Sequence, residues 1–175
     1  MGNHNPCNAT DKMLVAYLIS KGAGTAADVW SAKRSGDKDI QPATVCWAHN
    51  ARVQRSGPFT GLWLVEAFIE VRSNALPEEN EIEDDPKRKA VDRLSTTLDA
   101  FLEGVDSSAE KLGLAITAAG RGDPDVGQAT IQSVEIVQID QGFNSRATTT
   151  SPTLLNTWLD TIHLEILWCP QNITS

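Results

Sequence analysis

Cysteine is scarce in this chain of 175 residues: Cys7, Cys46 and Cys169 are the only three. An odd number at wide spacing excludes a disulfide framework and a Cys-x-x-Cys metal site. A reducing compartment fits, and Cys46, in a strand-like stretch, reads as a small core residue. Long apolar runs are also missing. Nothing approaches the roughly 20 residues that carry a helix across a bilayer. Met1 to Thr10 is polar and has no apolar signal segment. Pro6 stands where a myristoylation motif wants Ser or Thr. No membrane attachment is therefore expected. The third shortage is of basic charge: Lys and Arg number 15 against 23 Asp and Glu, for a net charge of −8. A general nucleic-acid binder needs a basic patch against the phosphates. The local cluster Lys87, Arg88, Lys89 and Arg93 reads as a solvated helix face.

Chemistry-bearing motifs are lacking too. No serine lies in a G-x-S-x-G elbow. The glycine-rich stretches Gly22-Ala23-Gly24-Thr25 and Gly120-Arg121-Gly122-Asp123 do not match a phosphate-cradling loop and sit in no βαβ unit. His4, His49 and His163 have no Cys or second His at ligand spacing. The acidic stretch Glu78 to Asp85 lacks the alternation and central glycine of a calcium loop, so it reads as a solvated loop or a charged contact surface. Glu66 and Glu70 share a strand face, where paired carboxylates more often serve solvation or salt bridging than acid/base chemistry. No catalytic, cofactor or metal residue is assigned.

What is present is pattern. Apolar residues make up 41% and charged residues 22% of the chain, the proportions of an ordinary globular domain. Gly61 to Asn74 is the longest alternating run. Trp63, Val65, Ala67, Ile69 and Val71 fall on one face; Leu62, Leu64, Glu66, Phe68, Glu70 and Arg72 fall on the other. That spacing predicts a strand with one apolar face and one mixed face, which meets water or a partner. Thr44 to Val53 predicts a second strand, joined to the first through the turn-forming segment Gln54 to Gly61 as a long hairpin. Further strands are expected over Ile131 to Ile139 and Trp158 to Trp168. Helices are expected over about Thr10 to Lys21, Pro86 to Glu103 and Ser107 to Ala119, with one or two helical turns in Thr25 to Lys33. Ser35 to Pro42 and Gln141 to Pro152 read as polar loops. Strands and helices are grouped rather than alternating. The expectation is a single α+β domain over residues 1–175, frayed at about 1–9 and 171–175. Its antiparallel sheet has about four strands packed on one face by helices. Leu94, Leu98 and Phe101 should pack on Val65, Ala67 and Ile69.

This order resembles a family. An N-terminal helix, the hairpin Thr44 to Asn74 and the crossing helix Pro86 to Glu103 come first. A polar loop then precedes the closing segment Trp158 to Pro170, W-L-D-T-I-H-L-E-I-L-W-C-P. Over roughly Lys12 to Pro170 the layout is similar to the small tail-terminator and tail-completion proteins of long-tailed bacteriophages. The resemblance implies a virion protein, present in the host cytoplasm before assembly. It implies a homo-oligomeric ring, commonly a hexamer, that caps the tail tube protein and joins it to the head-tail connector. DNA would only pass through its channel, and the protein would not be an enzyme. On that reading Phe143 and Arg146, in the Gln141 to Pro152 loop, are the candidate protein-interface residues, because an aromatic and an arginine are favoured anchors. Arg146 would pair with a carboxylate across the boundary. The other classes left open are a small cellular domain that adds a partner strand at its sheet edge and an enzyme without a recognisable motif.

Overall fold

The alternating run does form a strand, β3 (Trp63–Asn74), and it lies in the middle of a five-stranded sheet. A computed structural model describes residues 5–31, 43–54, 61–74, 85–102, 109–144 and 157–170. The Ser35 to Pro42 loop, the acidic residues Glu78 to Asp84, His4 and Arg146 lie outside them. Antiparallel neighbours flank β3: β2 (Ala43–Val53) on one side and β5 (Thr157–Cys169) on the other. Beyond β5 lies β4 (Thr130–Asn144), again antiparallel, and beyond β2 lies the short strand β1 (Val29–Ser31). The fold class is α+β, as expected, with one strand more and with a mixed sheet, because β1 runs parallel to β2.

All three described helices lie on one face of the sheet. They are α1 (Pro6–Ser20), α2 (Asp85–Leu102) and α3 (Ala109–Gly120). Val65, Ala67, Ile69 and Val71 of β3 and Ile162, Leu164, Ile166 and Trp168 of β5 are buried beneath them. Met13, Leu14, Tyr17 and Leu18 of α1, Leu94 and Phe101 of α2 and Ile116 of α3 fill the other side of the core. Tyr17 and Phe101 meet ring to ring at 5.8 Å, and the Tyr17 hydroxyl donates to the carbonyl of Ala100, which joins α1 to α2. Leu98, expected to be buried, is only partly so; it flanks the core.

Several boundaries move, each for a local reason. Helix α1 starts at Pro6, inside the stretch expected to fray. The Asn5 side chain accepts from the amides of Cys7 and Asn8, and proline suits the first turn. The helix ends as expected. Gly22 adopts φ +75°, and the amides of Ala23 and Gly22 return to the carbonyls of Leu18 and Ile19. The helical turns expected over Thr25 to Lys33 reduce to one. Val29 N–H reaches the Thr25 carbonyl, and the chain then straightens into β1. Arg93 of α2 fixes this corner. Its guanidinium donates to the Asp28 carboxylate, the Asp28 carbonyl and the Thr44 hydroxyl. Arg93 is thus no part of a solvated face, unlike the exposed Arg88 and Lys89.

Helix α3 lies tight against the sheet at Gly113. A Cβ there would stand 2.7 Å from the Ile131 carbonyl oxygen. One turn on, the Thr117 hydroxyl accepts from the Ile131 amide and donates to the Gly113 carbonyl. This contact sits where the β4 register shifts between Ile131 and Ser133.

Candidate interaction surfaces

Because the helices share one side, the opposite face of the sheet carries no described element, and its rows are set by register. Phe68 of β3 stands opposite Trp47 of β2 and His163 of β5. The rings stack across three strands, Trp47 to Phe68 at 5.3 Å and Phe68 to His163 at 4.5 Å. His49, at the register shift of β2, meets Trp47 edge-on at 5.6 Å. The ring nitrogens Trp47 Nε1 and His163 Nε2 are buried and have no hydrogen-bond partner among the described residues.

Two residues along from Phe68 on β3 and from His163 on β5 starts a row of like charge that runs on to β4. Glu66 stands opposite Glu165, and Glu165 opposite Glu135. None of the three has an ion pair among the described residues. Glu70, by contrast, holds Arg72, with Nη2 at 2.6 Å. Glu70 thus salt-bridges, the role expected for carboxylates on this strand face, whereas Glu66 is aligned across strands with Glu165. A sequence signal existed: each of the three strands carries a glutamate at an outward alternate position. Which glutamates align depends on register.

A second feature lies on the helical side. A groove of about 370 Å³ runs between α1 and the edge strand β1, lined by Val15, Ala16, Ile19, Ala26, Val29 and Trp30. At its rim Lys12 pairs with Asp125 at 2.6 Å and with Asp123 at 3.3 Å. The hydrogen bond to Asp125 leads burial and the Asp123 carboxylate in setting the Lys12 pKa, and the net result lies above the usual lysine value. At the other end of the sheet, β4 is the opposite edge and exposes Val137 and Ile139.

The sequence-derived interface residues are only partly placed. Phe143 is not in a loop: β4 continues to Asn144, and Phe143 is paired with Trp158 of β5. Arg146 follows two residues beyond the described end of β4. Among the described residues no three His, Cys, Asp or Glu side chains are grouped to hold a metal ion. Burial, with the Asp11 carboxylate, pushes the Cys46 thiol far above its ordinary value, which makes it a poor nucleophile. No described helix is long and apolar enough to cross a membrane. No family model matches the chain, and no curated protein matches it either.

Proposed function

We propose that this protein is a ring-forming virion component of a long-tailed bacteriophage. It would cap the tail tube, end its polymerisation and join it to the head connector. The observation that supports this reading is the unlikeness of the two sheet edges. A closed ring needs two different, complementary patches on each subunit. At one edge is the apolar groove beside β1; at the other, β4 offers Val137 and Ile139. A neighbouring copy seats its β4 edge against the β1 groove, and the Phe143 end of β4 travels with it, with Arg146 following in sequence. Arg146 then pairs with a carboxylate of the next subunit or of the tube. Function on this reading is surface complementarity without an active site. A negative chain lets DNA pass through the channel without adhering. Six copies are the expected ring, formed in the host cytoplasm and retained in the virion.

The exposed Val137 and Ile139 also favour a second reading, a small binding domain that adds a partner strand along β4. Sedimentation velocity at several concentrations, with and without purified tail tubes, separates the two. A ring mass or rings on tube ends is expected, lost in Val137→Glu and weakened in Phe143→Ala/Arg146→Glu. A chain that stays monomeric and ignores tubes overturns the ring.

A further inference from the structure

The face of the sheet without a described helix carries an inference independent of the ring. Like charges placed directly opposite on neighbouring strands destabilise a sheet. Here three glutamates are so placed, and none is neutralised by an ion pair among the described residues. Beside them, about 6–7 Å along the strands, runs the ring row Trp47, Phe68 and His163. The apolar band, on β2, β3 and β5, thus adjoins the anionic band, on β3, β5 and β4, over the two central strands they share. We infer that this face docks a basic, amphipathic segment of another protein. Its arginines fork onto Glu66, Glu165 and Glu135, and its apolar side chains cover the ring row.

Charge selects this occupant over others. Nucleic acid would meet carboxylates rather than cations. A second copy would bring a net charge of −8 to an already negative face. Arginine fits better than lysine, because its planar fork matches a carboxylate with two parallel hydrogen bonds. Trp47 in the ring row is of a residue type enriched in binding hot spots. Glu66 and Glu165 are half-buried and Glu135 exposed, so the first two lie at the centre of the contact and the third at its rim.

The test uses the full chain and a fluorescein-labelled peptide of about ten residues alternating Arg and Leu, long enough to cross the sheet. Lys-Leu and Glu-Leu peptides serve as controls, read by anisotropy at several salt concentrations. Wild-type protein should bind Arg-Leu more tightly than Lys-Leu and should not bind Glu-Leu. Glu66→Gln/Glu165→Gln should weaken Arg-Leu binding about tenfold or more. Glu135→Gln should weaken it less, and the exposed α2 pair Asp92→Asn/Asp99→Asn should not weaken it. Circular dichroism melting confirms that each variant folds, and Glu135→Gln, at an exposed position, keeps the test open if the double variant does not. Three results overturn the inference: no Arg-Leu binding, equal loss in the α2 variant, or unchanged binding by the sheet-face variants. Wild-type self-association abolished by Glu66→Gln/Glu165→Gln would likewise overturn it, by giving the face to a second copy.

Discussion

The buried carboxylate of Asp11 on α1 accepts a hydrogen bond from the backbone amide of Ala48 on β2. Among the described residues, β1 pairs with β2 as far as Ser31 opposite Cys46, and the β2 register shifts just after Ala48. Asp11 thus supplies an acceptor beyond the described end of β1. It couples the first helix to the hairpin across 37 residues of chain.

Asp11→Ala strips that amide of its partner in the interior and should cost about 1–3 kcal/mol. Asp11→Asn keeps an acceptor oxygen and should lose less. Urea unfolding gives the magnitudes, and amide exchange at Ala48 should accelerate in the alanine variant. Unchanged stability with unchanged exchange would remove Asp11 from this role.

Arg93 makes the corner at Asp28 sensitive to pH. Burial alone would raise the Asp28 pKa, but the Thr25 amide and the Arg93 guanidinium outweigh it and hold the carboxyl below its ordinary value. A depressed folded-state pKa contributes stability above the unfolded value of about 4. That contribution disappears as the pH falls through the folded value. Arg93→Met should therefore narrow its stability gap to wild type as the pH drops from about 6 to 3. Arg93→Lys should not restore stability fully, since one ammonium cannot serve three acceptors in the same plane. A gap that stays constant with pH would show that Asp28 and Arg93 are not coupled.

At Gly113 two effects oppose each other. Alanine gains about 1 kcal/mol of helix propensity. Its Cβ, however, would press on the Ile131 carbonyl at 2.7 Å, and backbone cannot swing aside as a side chain can. Overpacking of this kind costs about 1–3 kcal/mol. Gly113→Ala should be net destabilising, and a raised melting temperature would contradict the close approach of α3 to β4.

Two leucines of α2 should separate. Leu94 is 2% exposed and belongs to the core cluster, whereas Leu98 only flanks it. Leu94→Ala should cost about 2–5 kcal/mol. Leu98→Ala should cost distinctly less, because solvent already reaches part of the side chain. Equal losses in thermal or urea denaturation would place Leu98 deeper than the structure does.

Local periodicity alone determined much of this fold. The alternation of Val65, Ala67, Ile69 and Val71 and that of Ile162, Leu164 and Ile166 predict strands and name their buried faces. Side-chain direction in a strand repeats every two residues whatever lies beside it. Leu94 and Phe101 likewise mark the inner side of a helix. Tertiary structure decided what depends on partners. Strand β1 spans three residues, too few to announce themselves, and it is anchored by Arg93 from a distant helix. Phe143 lies in a polar, glycine-containing stretch that reads as loop, yet β5 supplies a ladder through Asn144 and keeps it in β4. The candidate face divides in the same way. Outward glutamates and aromatics are visible in each strand separately. Their alignment as Glu66–Glu165–Glu135 and Trp47–Phe68–His163 exists only once the register is set, because a slip of one residue would turn every one of them to the other side.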